Sequence, residues 1–171
     1  METIMEKQSL QKSSVFLNRH DIEYFRFEED FVEANMRCIP MIVRFKMDLA
    51  GIKLKLTEWV KFTNSEKLCL ALSPANNTEQ IRHYKIMLNR MIFDHTGQTG
   101  TSLEINQYPA WSVTDRVPEH LCVYLSGINK SISRNQWKSL TNLQRFALLK
   151  LMREGHENKN FPKALLEFGL A

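Results

Sequence analysis

The run from Trp137 to Phe168 constrains the fold more than any other part of this chain. Thr141-Asn142-Leu143-Gln144 has capping-box spacing, a hydroxyl and an amide three residues apart that can satisfy each other's free backbone donors. Phe146 to Met152 is apolar except for Lys150, which predicts a helix buried on most sides, and Gly155 is placed to stop it. Phe161, Ala164, Leu165 and Phe168 then recur at i, i+3, i+4 and i+7, the spacing of a second helix. Between the two lies a wholly polar loop, His156 to Asn160. Two apolar helices in succession predict a compact helical body.

The same signals recur upstream. Pro40 suits a first helical position, and the helix it opens is expected to bury Ile42, Phe45 and Leu49 and to expose Arg44, Lys46 and Asp48. Gly51 closes it. Lys53 to Phe62 reads as a short helix around Trp59, and Thr63-Asn64-Ser65-Glu66 as a second capping box, opening the helix of Leu68, Leu70 and Leu72 that Pro74 ends. Asn77 or Thr78 caps the longest amphipathic segment, where Ile81, Tyr84, Leu88, Met91, Ile92 and His95 form one stripe. His95, in the last turn before Gly97, is suited to complement the helix dipole. Residues 96–116 read as a long connection in which Trp111 is the only large anchor; Pro118 starts a further helix that stops at Gly127. At the other end, Tyr24 to Phe27 reads as a short strand or extended lead-in, and Glu28, Glu29, Asp30 and Glu33 as the acidic first turns of a short helix.

A slide of 78 positions lays Ile39-Pro40 on Val117-Pro118, Trp59 on Trp137, Thr63-Asn64 on Thr141-Asn142 and Glu66-Lys67 on Gln144-Arg145. Two readings stay open, a coincidence of common caps and a pair of four-helix halves (39–97 and 117–171) related by a pseudo-twofold axis. In the second, each Trp seats its short helix with its ring buried and its N–H on a carbonyl. The expected class is therefore all-α, a compact bundle of about eight short helices. Residues 1–22 read as a flexible leader and 23–171 as a single helical domain.

A chain of 171 residues can bury about 70% of its unfolded surface in one domain. No apolar run reaches the ~20 residues that a membrane span needs, and the first twenty residues lack the apolar centre of a secretory signal. The expected compartment is the cytoplasm, with no membrane association. Cys38, Cys69 and Cys122 share no CxxC spacing, against a disulfide framework or a standard zinc site, and Cys69 and Cys122 are expected in the core. The net charge of +4 is uneven: residues 1–36 hold eight acids and four bases, residues 37–171 nineteen bases and eleven acids. A basic body can favour an acidic partner.

No phosphate loop, GxSxG, HExxH or paired carboxylates are spelled here, and the five histidines are too scattered for a metal cage. Two polar constellations remain. His156, Glu157, Asn158, Lys159 and Asn160, flanked by Arg153, offer hydrogen-bonding side chains between two helices, where rigid scaffolds place recognition residues. The plainer alternative is a connection in which Asn160 caps the last helix. Arg37 and Cys38 beside Pro40, with Arg44 and Lys46 beyond, form the other. A thiol next to a guanidinium and a helix start is the setting in which cysteines become reactive, and a small packed cysteine is the alternative. The helix–turn–helix look of Trp137 to Leu151 raises duplex binding, but that helix is too apolar for a groove, so nucleic acid is not the expected partner.

Arg37-Cys38-Ile39-Pro40-Met41, with Val43 to Lys46 and Gly51 to Leu54, resembles the nitrate reductase-associated protein family of cyanobacteria and some other bacteria. Gln136-Trp137, Leu140-Thr141, Leu143 to Leu148 and His156 to Phe161 carry the same resemblance, with Pro109-Ala110-Trp111 a shorter match. It covers about residues 24–170. Arg134 departs from it, standing before the Trp helix where an apolar residue is expected.

The resemblance implies a role in the maturation or activity of a molybdenum-dependent assimilatory nitrate reductase. The expectation is a non-enzymatic accessory factor, without a cofactor or catalytic residues of its own. Its partner is expected to be the reductase or its cofactor-insertion machinery, met by protein–protein contact through Arg37, Cys38, Arg44, Lys46, Arg153 and His156 to Asn160. The alternatives are a binder or carrier of an anionic, molybdopterin-type cofactor and, last, a nucleic-acid-binding regulator.

Overall fold

The computed structural model describes residues 22–34, 36–153 and 156–171, without the side chains of His156 and Glu157. The expected leader lies outside them except for Ile22, which is buried in the core, and the expected stop at Gly155 lies outside them as well.

Among the described residues the chain forms nine α-helices: α1 Glu29–Glu33, α2 Met41–Ala50, α3 Leu56–Trp59, α4 Asn64–Leu72, α5 Thr78–Thr96, α6 Glu119–Gly127, α7 Arg134–Ser139, α8 Asn142–Leu151 and α9 Phe161–Glu167. The ends follow from local chemistry. The Thr63 and Thr141 hydroxyls accept from the Glu66 and Gln144 N–H groups, while the Glu66 and Gln144 side chains reach back to the Thr63 and Thr141 N–H groups. Asn77 caps α5 through the Gln80 N–H. Gly51 ends α2 at φ +66°, a left-handed conformation, and a Cβ there would also strike the Ile105 side chain. Pro40 and Pro118 precede the first helical residue rather than occupying it, with extended ψ; the Pro40 carbonyl accepts the first helical bond, from the Arg44 N–H.

The long connection after α5 is more ordered than its sequence suggests. Thr101–Ser102 pairs antiparallel with Ile52–Lys53 as a two-stranded ribbon (β2 with β1), and Ala110–Ser112 forms a 3-10 turn. Trp111 is half-buried on Phe45, ring centroids 4.9 Å apart. Tyr24 to Phe27 is not a strand: Arg26–Glu28 is a 3-10 turn, and Phe25 packs against Phe27 and Phe168.

One apolar cluster runs from Ile22 to Leu170, with Trp59, Trp137, Leu88, Ile92, Phe146 and Phe161 at zero or 1% exposure. α2 packs against α4, α5 and α8, which explains why its burial exceeds one stripe. Met41, Ile42, Val43, Lys46, Met47 and Ala50 are buried, while Phe45 and Leu49 are half-buried. Two expectations for cysteine fail, since Cys69 is half-buried and Cys122 exposed. The departure at Arg134 is harmless. It opens α7 on the surface, and Leu56, which opens α3, is itself 53% exposed.

Helices α2, α3 and α4 begin at 41, 56 and 64, and α6, α7 and α8 at 119, 134 and 142, so that each follows its counterpart by 78 positions. Trp59 donates through Nε1 to the Met36 carbonyl at 2.7 Å, and Trp137 to that of Val113 at 2.8 Å. Lys67 lies over the Trp59 ring and Arg145 over the Trp137 ring.

Candidate functional site: a cationic recess

The lead-in to α2 and the start of α9 are far apart in sequence, yet they line one recess. Its volume is about 250 Å³. Arg37, Cys38 and Ile39 come from the lead-in, Met41 and Arg44 from α2, Lys159, Asn160 and Lys163 from the last 3-10 turn and α9, Leu151 from the end of α8, and Phe27, Glu28, Asp30 and Phe31 from the N-terminal turns. Four cationic groups (Arg37, Arg44, Lys159 and Lys163) thus share the wall with two carboxyls, Glu28 and Asp30. The rest is largely apolar, through Phe27, Phe31, Ile39, Met41 and Leu151.

Glu28 fixes the geometry. It is 1% exposed, and its two carboxylate oxygens accept from the Phe25 and Met41 N–H groups at 3.1 and 2.7 Å. One side chain therefore ties the N-terminal turn to the first residue of α2. Arg44 is fixed too, donating from Nε to the Ile39 carbonyl at 2.9 Å. On the far side, Glu167 of α9 accepts from the Arg26 N–H at 2.9 Å, holding α9 against the same turn.

Burial pushes the Glu28 carboxyl up to about 7, against the opposing pull of its two backbone donors and of Arg44, with Glu167 adding a smaller push upward. The folded chain then holds this proton more tightly than the unfolded chain, whose carboxyl titrates near 4.5. Glu28 therefore contributes stability that is complete below about pH 4.5 and is lost as pH rises to about 7, up to about 3 kcal/mol in all. Denaturant titrations from pH 5 to 8 are expected to show this loss, and Glu28→Gln is expected to flatten it. A Glu28→Gln protein with the wild-type slope would remove Glu28 as its source.

The expected site residues divide as follows. Arg37, Cys38, Arg44, Lys159 and Asn160, expected as two constellations, lie on the one recess. Lys46 does not: it is 8% exposed and its ammonium donates to the Ala71 carbonyl at 2.6 Å. Burial lowers its pKa to about 8. The expectation of an exposed Lys46 is corrected, because α2 is covered on that side by α4. Arg153 is exposed and outside the recess lining. His156 and Glu157 belong to the 3-10 turn His156–Asn160, their side chains outside the described atoms. Asn158 turns inward: its amide donates to the Tyr124 hydroxyl at 2.8 Å and approaches the Leu151 and Met152 carbonyls. Asn160 makes no side-chain cap on α9. His95 pairs with the Glu66 carboxylate at 2.9 Å, a link between α5 and α4.

Sequence reasoning missed Glu28 and Lys163. Glu28 was one member of an acidic run, and only its contact with Met41, thirteen residues on, sets it apart. Lys163 carried a usable signal, since it follows Lys159 by four positions across the start of α9. A second recess of about 470 Å³, around Asn106, Tyr108, Arg116 and His120, has fewer cations and none of the four buried polar or charged side chains. Among the described residues no group of three or more His, Cys, Asp or Glu could hold a metal, and no helix is long and apolar enough to cross a membrane.

A helical body with a fixed cationic recess describes a class of protein rather than an activity. The family model for the conserved nitrate reductase-associated protein matches residues 24–168, and the chain belongs to that family. The family's name associates it with nitrate reductase. No curated protein and no solved structure matches the chain.

Proposed function

We propose that this protein is a non-enzymatic accessory or maturation factor for a molybdenum-dependent assimilatory nitrate reductase, acting in the cytoplasm by protein–protein contact through the mouth of the recess. The observation that carries the reading is the convergence of Arg37, Arg44, Lys159 and Lys163, drawn from two distant segments, on one surface depression. Such a cluster recognises an acidic surface and sets the rate at which it is met. The family's name, which associates it with nitrate reductase, supports the enzyme or its cofactor-insertion machinery as the partner.

The second reading, a carrier of a molybdopterin-type cofactor, draws support from the same cations, since phosphates suit arginine. Size weighs against it. About 250 Å³ falls below the ~300–1,000 Å³ of pockets that enclose drug-sized ligands, and a pterin bearing a nucleotide needs at least that. Nucleic-acid regulation rests on net charge and on the helix–turn–helix look of Trp137 to Leu151, whose second helix is too apolar for a groove.

The test is affinity purification of the tagged protein from nitrate-grown cells, beside an Arg37→Glu, Lys159→Glu variant. Both residues are exposed, so the variant should fold. The reductase or its insertion machinery is expected with the wild type and at least tenfold less with the variant. Equal recovery with both, or none with either, would refute contact through the recess.

A further inference from the structure

We infer that the recess is also a binding site for a small organic oxyanion, a phosphate- or carboxylate-bearing molecule with a short apolar body. The inference goes beyond the contact reading, because such a site exists on the isolated protein whether or not a partner is present.

Three features of the recess carry it. Its cations converge from separate segments, and the Arg44 guanidinium is oriented by its bond to the Ile39 carbonyl, so little ordering remains for an anion to impose. Its two carboxyls are outnumbered by the four cations: Glu28, which Arg44 also pulls on, is buried with both oxygens engaged by backbone N–H groups, and Asp30 stands exposed on the wall. Apolar side chains, Phe31 and Met41 among them, line the same space, which a bare inorganic ion would leave unfilled. A volume of about 250 Å³ admits a single ring or short chain bearing one anionic group rather than a dinucleotide.

Cys38 provides the readout, since it lines the recess half-buried while Cys122 is exposed elsewhere and serves as an internal reference. Phenyl phosphate is the probe, with phenol and inorganic phosphate as its two halves. The rate of iodoacetamide alkylation is followed at each cysteine by mass spectrometry. Phenyl phosphate is expected to slow Cys38 at least fivefold without changing Cys122. Phenol is expected to do nothing, and inorganic phosphate to protect only at higher concentration. Arg37→Glu with Lys163→Glu is expected to raise the protecting concentration at least tenfold. The charge-keeping pair Arg37→Lys with Lys163→Arg is expected to retain protection, which separates lost charge from a misfolded variant. Absent protection by phenyl phosphate, equal protection by phenol or by inorganic phosphate, or protection unchanged in the charge-reversed variant would each overturn the assignment. Its failure is distinct from that of the contact reading: alkylation is measured on the protein alone, and partner recovery is measured in cells.

Discussion

Replacing Arg145 with Met is expected to lower stability by about 3–5 kcal/mol, moving the thermal midpoint down by about 10–15 °C. Arg145 is 4% exposed, yet among the described residues no carboxylate partners it. Its guanidinium instead donates to the carbonyls of Trp111 at 2.7 Å, Trp137 at 3.3 Å and Leu140, and to the Asn142 side-chain oxygen. These groups lie at the end of the long connection, in α7 and its cap, and at the start of α8. One side chain therefore holds three elements together. Methionine can refill most of the volume but gives none of the donors; the Trp137 carbonyl keeps the Leu140 N–H, while the Leu140 and Trp111 carbonyls each lose a donor at about 1–3 kcal/mol before relaxation. Urea unfolding of the variant measures the loss. A change under about 1 kcal/mol would mean that water replaces the guanidinium without penalty.

Trp137→Ala and Trp59→Ala are each expected to cost about 3–5 kcal/mol, the range for deleting a buried aromatic side chain. Both rings are fully buried and both N–H groups are satisfied by a carbonyl from the segment ahead of the preceding helix, Met36 before α2 and Val113 before α6. Trp→Phe at either position keeps most of the ring but strands the Met36 or Val113 carbonyl, for about 1–2 kcal/mol. Denaturant midpoints of the four variants separate the two contributions. Because Arg145 lies over the Trp137 ring and donates to its carbonyl, the double variant should lose less than the two singles combined. Strict additivity would show that the two side chains act independently.

Much of the fold was legible because its signals are local. The Thr63 and Thr141 caps, the Asn77 cap and the stripe of Tyr84, Leu88 and Ile92 each involve residues three, four or eight apart, and the structure follows them closely. What escaped reading depends on partners distant in sequence. Lys46 and Arg145 look like surface cations by type, and their burial depends on acceptors distant in sequence, the carbonyls of Ala71 and Trp111. The site was half legible for the same reason. Arg37, Arg44, Lys159 and Asn160 could be singled out by chemistry, but nothing in the spacing of residues 37–44 and 156–160 shows that they share a recess. Glu28, which anchors that recess, was hidden among its acidic neighbours.

The most direct measurement is nitrate reductase activity in a strain lacking this protein, restored with either the wild type or the Arg37→Glu, Lys159→Glu variant at matched protein levels. Wild type is expected to restore activity and the variant, folded by thermal denaturation, to restore less than a tenth of it. Full restoration by the charge-reversed variant, or undiminished activity in the strain without the protein, would contradict the account.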